Sequence, residues 1–236
     1  RVLRNGDRLQ FGGSIFLFDQ GHGAHEKSAA VAAVKTQILW RNPSTMKSQP
    51  ATLLVADLKG FTGISARLPP GQVADLLREW YADCNAIMKQ HGASIDKFIG
   101  DCVFAYWHGT AADICIRAVQ AAQALRAAET AASSPARALV RQQHGIVLDC
   151  RIGLHAGDVA IGAMGKGVNT ALGDAVNLAF RIEGLTRSLD RPLLVSDAFL
   201  ENWPEGLRYF ETCGVHQVKG RPEPVEVFCL ARQGGG

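Results

Sequence analysis

Three short segments hold side chains whose types and spacing could do chemistry. In Val55-Ala56-Asp57-Leu58-Lys59-Gly60-Phe61-Thr62 an apolar run ends in a carboxylate just before a glycine turn. In Asp96-Lys97-Phe98-Ile99-Gly100-Asp101 a second carboxylate, Asp101, follows a glycine that reads as a hairpin tip. Two carboxylates held together repel, and a pair of divalent cations removes that cost. Such a pair suits phosphoryl transfer, where two metals act on the attacking and the leaving oxygen. The third segment is Asn169-Thr170-Ala171-Leu172-Gly173-Asp174-Ala175-Val176-Asn177-Leu178-Ala179-Phe180-Arg181. Asn177 and Arg181 lie four apart on an expected helix, so both project from one face. Each segment also has a plainer reading. Asp57 makes a good helix cap, Asp101 a good turn residue, and Asn177 with Arg181 an ordinary solvated face. Asp174, beside Gly173, reads as a helix cap rather than a ligand.

These segments need a scaffold. Thr52–Ala56 predicts a buried strand, and helices follow over Gly60–Leu68 and Gln72–His91. Ser94–Ile99 and Cys102–Trp107 form the hairpin, followed by an Ala-rich helix over Ala111–Ala131 and a shorter one over Ala136–Gln143. Val147–Leu154 and Val159–Ile161 read as strands parted by Ala156–Asp158, with a Gly-rich hairpin loop at 162–167. A helix from Asp174 to about Arg187 precedes strands near Leu193, Phe210–Val218 and Val225–Leu230. The order β-α-β-β-α-β with appended strands predicts an α+β fold, a ferredoxin-like sheet backed by helices.

The 236 residues fit one full domain with a smaller appendage. With 47% apolar and 20% charged residues the balance is that of a globular chain. A net charge of +3 is too small to argue for nucleic acid. No apolar run reaches the roughly 18–20 residues of a membrane span. The chain begins without Met, and we expect it to be part of something longer. Its six cysteines lack C-x-x-C spacing and its seven histidines lack zinc spacing, so free thiols in a reducing cytoplasm are expected.

Taken together, D-L-x-G-F-T, K-x-x-G-D, R-I-G-L-H-x-G and G-D-x-V-N-x-A-x-R resemble the catalytic domain of class III adenylyl cyclases, from about Thr52 to Leu230. The resemblance implies the class III cyclase fold over 51–232 and conversion of ATP to cyclic AMP and pyrophosphate with two divalent metal ions, Mg²⁺ or Mn²⁺. It implies metal ligation by Asp57, Asp101 and the Leu58 carbonyl, with backbone around Phe61 and Thr62 facing phosphate. Asn177 and Arg181 would orient the ribose and stabilise charge on the reacting phosphate, Arg151 would contact the phosphates across the interface, and Lys219 matches a triphosphate lysine more loosely. Lys97 falls where adenylyl cyclases read the base, because an ammonium donates and adenine N1 accepts. Thr170 falls where many carry Asp. This resembles the Thr/Ser subgroup, whose members often respond to bicarbonate or CO₂. A head-to-tail homodimer is implied, because the family's sites lie between two domains and this chain carries both halves.

Residues 1–20 read as two strands and resemble the closing hairpin of a forkhead-associated domain. Residues 21–50 read as a linker with a short helix over Glu26–Trp40, broken by Pro43 and Pro50. Other readings fit less well. The hairpin lacks the G-G-(D/E)-E-F of diguanylate cyclases, and Gly162-Ala163-Met164-Gly165-Lys166-Gly167 is not a P-loop. A guanylyl cyclase or a silent cyclase-like module stays open, the former because of Thr170. No single side chain stands out as a general base.

Overall fold

The computed structural model describes residues 8–11, 14–17, 46–131, 134–163 and 169–231. Strands β1 (Arg8–Phe11) and β2 (Ser14–Leu17) pair antiparallel, as the turn signals in that stretch predict. The helix expected over Glu26–Trp40 lies outside the described residues.

The remaining chain builds one sheet. Strand β3 (Lys47–Leu58) leads through α1 (Phe61–Ser65) and α2 (Pro70–Gln90) to β4 (Ser94–Ile99) and β5 (Cys102–His108). Helices α3 (Ala112–Ala131) and α4 (Pro135–His144) then lead to β6 (Cys150–Ala163). These strands lie in the order β4-β5-β3-β6, all antiparallel, which is the expected ferredoxin-like arrangement. Strand β7 (Asn169–Leu172) folds back on the end of β6. Helix α5 (Asp174–Leu189) then crosses to β8 (Leu193–Ser196), which runs parallel to β6. After α6 (Asp197–Glu201) and a 3-10 turn, β9 (Phe210–His216) and β10 (Val225–Leu230) extend the sheet as β6-β8-β10-β9.

Strand β3 is buried throughout Ala51–Ala56, and apolar there but for Thr52, because both its faces are covered over that stretch. Leu54, Ala56 and Leu58 pack under α2 and α3, whereas Leu53 and Val55 pack under α5. Helix α2 contributes Leu76, Trp80, Cys84 and Met88, one residue per turn on a single buried stripe. On that side Arg137 is buried with the wholly buried Glu129, and it also donates to Asp83 at 2.6 Å. All six thiols are free, as expected.

The structure corrects two boundaries. Val147–Leu154 and Val159–Ile161 are not separate strands: β6 runs unbroken from Cys150, and Ala156, Gly157 and Asp158 pair with Thr52, Ala51 and Pro50. Gly157 is there for space rather than for a turn, since a Cβ would come within 2.8 Å of the Ala175 Cβ. The partner for this stretch comes from β3, which starts at Lys47, inside the expected linker. Pro50 does not break β3, because its missing N–H falls where the ladder to β5 has ended. There its carbonyl instead accepts the Gly109 N–H at 2.9 Å.

A closer approach sets the position of α5. A Cβ on Gly153 would lie 2.4 Å from the Glu183 nitrogen and 2.9 Å from the Ala179 carbonyl oxygen, so the helix backbone rests directly on β6. The neighbours here are main chain and cannot swing away. We expect Gly153→Ala to destabilise the fold by about 3 kcal/mol, measured by urea unfolding. An unchanged midpoint would contradict this contact.

Candidate active site

Asp57 occupies the penultimate position of β3, directly opposite Arg151 on β6. It is not a helix cap: α1 begins at Phe61, and its cap position is Gly60 in the left-handed region at φ 71°. The Lys59 N–H is tied to the Asp149 carbonyl at 2.8 Å, which fixes the chain as it leaves the strand. The first intrahelical bonds run from Gly63 and Ile64 to the Gly60 carbonyl. The N–H groups of Phe61 and Thr62 therefore lie ahead of the helical ladder. Phe61 packs its ring into the core, and Thr62 is exposed.

Asp101 sits in the β4–β5 turn, with Gly100 at φ 63°. Helix α2 holds this turn by its main chain. The Trp80 indole donates to the Asp101 carbonyl at 2.8 Å, and the Tyr81 hydroxyl donates to the Gly100 carbonyl at 2.6 Å. This brings the Asp101 carboxyl close enough to that of Asp57 for the two to bear on each other. Burial, then the nearby Asp101 carboxyl, push Asp57 up to about 7.

Two further groups join this cluster. Glu183 of α5 adds negative charge at Asp57, and Arg187 opposes it. Burial raises Glu183 as well, against the pull of Arg151 and Arg187. The sequence reading missed Glu183 and Arg187. They continue a four-residue stripe from the buried Ala179, so the phase of the helix could have found them. A cavity of about 220 Å³ adjoins the cluster, lined by Lys59, Arg151 and Arg191 together with Asp149 and Asp190.

The donors present fit magnesium or manganese. Two carboxylates that repel when both are charged, beside the end of β3 that carries the Leu58 carbonyl, form the sparse oxygen set such ions take when substrate phosphates supply the rest. Among the described residues no cluster of three or more His, Cys, Asp or Glu side chains forms a full protein cage.

Lys97 and Thr170 meet at a second place. The Lys97 ammonium is 3.3 Å from the Thr170 hydroxyl oxygen, which joins β4 to β7. Asp96, to which the sequence reading gave no role, lies beneath both with its side chain 1% exposed. Asn177 and Arg181 are exposed on α5, on the stripe away from its packed face. The cations that bear on the carboxylates of the same chain are Arg151 and Arg187, not Arg181. Lys219 is exposed in the turn after β9, which Arg221 ties to Asp174 at 3.6 Å. Asp174 is the first residue of α5 and makes no capping bond, so it is not the cap the sequence suggested. One chain thus assembles a carboxylate cluster and a lysine–threonine pair, while the Asn177–Arg181 stripe faces outward.

The upward shift of Asp57 has a definite sign. The folded chain binds its proton more tightly than the unfolded chain does, so stability falls as pH rises from about 4 through about 7. Without metal, Asp57→Asn should therefore be more stable than the parent above pH 7 and show no such gain near pH 4. Thermal melts across that range test this, and parallel curves would remove the upward shift.

Residues 44–232 match the family model described as the adenylate and guanylate cyclase catalytic domain. Adenylate cyclase 1 of Rhizobium meliloti is 29% identical over 192 residues, covering 76% of this chain and 27% of the relative. The photoactivated adenylate cyclase subunit alpha-like protein FB of Euglena gracilis is 31% identical over 204 residues, covering 83% of this chain and 19% of the relative. The chain thus spans roughly a fifth to a quarter of those two proteins. Among solved structures, the adenylyl cyclase CyaB from P. aeruginosa superposes with a TM-score of 0.67 at 26% identity, covering 80% of this chain and 98% of that one. The guanylyl cyclase Cya2 gives the same TM-score and identity, over 79% and 94%. With this sheet and these motifs, the chain belongs to the adenylate and guanylate cyclase catalytic domain family.

Proposed function

We propose that this domain converts ATP to 3′,5′-cyclic AMP and pyrophosphate, as a head-to-tail homodimer in which each site draws on both chains. The observation that carries the chemistry is the closeness of the Asp57 and Asp101 carboxyls, from two separate elements, with a cavity lined in part by Lys59 and Arg151 at the same end of β3. The Lys97–Thr170 pair supports the choice of base. The fold itself is neutral on that choice, because the adenylyl cyclase CyaB and the guanylyl cyclase Cya2 superpose equally well.

In this reading the ribose 3′-oxygen attacks the α-phosphorus in line. The new O3′–phosphorus bond forms as the bond to the bridging oxygen breaks, and pyrophosphate leaves. Magnesium or manganese held by Asp57, Asp101 and the Leu58 carbonyl supplies Lewis-acid polarisation of the phosphate oxygens. Arg151, opposite Asp57, faces the phosphate end of the nucleotide, and the N–H groups of Phe61 and Thr62 offer it two further donors. Asn177 holds the ribose, and Arg181 stabilises the charge that grows on the α-phosphate oxygens. Lys219 contributes a further cation at the triphosphate. The outward stripe of Asn177 and Arg181 supports the dimer: two copies arranged head to tail bring the stripe of one to the carboxylates of the other. Bicarbonate or CO₂ as activator is part of the same reading, through the Thr170 subgroup, and so is a cytoplasmic location, which unpaired thiols suit. No described helix is long and apolar enough to cross a membrane.

The test is cyclic nucleotide production from ATP or GTP, with Mg²⁺ or Mn²⁺, over a range of protein concentrations. Cyclic AMP formation with specific activity rising with concentration is expected. Asp57→Ala and Asp101→Ala should each lower turnover by at least about a hundredfold while the far-ultraviolet spectrum stays unchanged. Full activity in either variant would remove the metal assignment. No product from either nucleotide at high concentration with Mn²⁺ would make this a silent cyclase-like module.

A further inference from the structure

Asp96 occupies an irregularity in the β4–β5 ladder. Ile95 pairs with Ala105 and Lys97 with Phe104, so Asp96 has no residue opposite it. A bulge of this kind re-aims a side chain, and here it turns a carboxylate inward at an exposed sheet edge. Its Oδ2 accepts the Ala171 N–H at 2.6 Å. Its Oδ1 lies 3.0 Å from the Lys97 ammonium and 3.1 Å from the Thr170 hydroxyl. A buried acid with three donors around it is a built feature rather than a chance ion pair.

The directions of these bonds follow from what each group can do. A carboxylate only accepts and an ammonium only donates. The hydrogen of the Thr170 hydroxyl is therefore committed to Asp96, while its oxygen accepts from Lys97 at 3.3 Å. What Thr170 has left to offer a ligand is a lone pair. Lys97, 45% exposed, keeps a third hydrogen. The free face is then a donor beside an acceptor. Adenine presents the complement, with N1 accepting and the 6-amino group donating. Guanine presents the opposite, with N1–H donating and O6 accepting, so both contacts would be donor-to-donor or lone pair to lone pair.

We propose that Asp96 is a specificity-positioning residue, which makes Thr170 an obligate acceptor and so turns an otherwise ambivalent hydroxyl into a reader of the adenine amino group. This rests on the assignment of Lys97 and Thr170 to the base and adds a residue that never touches it. Under this arrangement a threonine does the work of a carboxylate by having one deeper in the protein.

The test compares ATP and GTP as competing substrates and reads the ratio of their kcat/KM values. In Asp96→Asn the Ala171 N–H keeps the carboxamide oxygen, which leaves the amide NH₂ facing Thr170 and Lys97. The Thr170 hydrogen is released and can then donate to guanine O6. The ATP/GTP ratio should fall by about tenfold or more. Thr170→Val removes the acceptor without changing the shape, and should lower the ratio to a similar extent. Adding Asp96→Asn to it should lower the ratio no further. A purely structural brace would instead lower activity on both nucleotides equally and leave the ratio of Asp96→Asn at that of the parent, which overturns the proposal, as does a ratio in the double variant well below that of Thr170→Val. If Asp96→Asn does not fold, Thr170→Val decides alone, and an unchanged ratio there refutes it. Lys97→Glu separates this failure from that of the underlying assignment. If it too leaves the ratio unchanged, the base is read elsewhere. If it alone shifts the ratio, only the role of Asp96 is lost.

Discussion

Everything at the site depends on how closely α5 lies on β6. The helix presents one face to its own carboxylates through Glu183 and Arg187 and another to solvent through Asn177 and Arg181. Which residues fall on which face is a matter of helical phase, and that phase is set by backbone contact at Gly153. A side chain there would lift the helix and turn both faces out of register together. The glycine in R-I-G-L-H is thus part of the site's geometry although it carries no functional group.

The two charged centres are stabilised by different means. Asp57 and Asp101 are brought together by two separate elements, and within the protein their mutual repulsion is answered only in part, by Arg187. That is an arrangement suited to cations supplied from outside. Asp96, by contrast, is met within the protein by three donors on its two oxygens. The first centre is left electrostatically open and the second is closed, which is consistent with one binding ions and the other fixing a pattern of hydrogen bonds.

The sequence made the site's outline readable because its motifs coincide with element ends. Asp57 follows an apolar run, Asp101 follows a glycine turn, and Asn177 and Arg181 share a helical spacing. The ferredoxin-like order was readable for the same reason. What was hidden depended on partners distant in the chain. Ala156-Gly157-Asp158 has the composition of a turn, and only the extension of β3 back to Lys47 makes it strand. The short strand Asn169–Leu172 was assigned no element because it has little apolar content and takes its order from β6. Asp96 looks like one polar residue among several in a strand. Its burial comes from a bulge, and the identity of its partners comes from a strand some seventy residues on.

The turn that carries Asp101 is pinned by Trp80 and Tyr81 through carbonyl oxygens alone. Because the clamp grips main chain, it is indifferent to which side chain stands at that tip. Position 101 is therefore held in place for whatever occupies it. A lineage could lose the carboxylate and keep the loop, so that relatives without catalysis would inherit an intact scaffold, and architecture alone would not tell the working enzyme from its silent descendant.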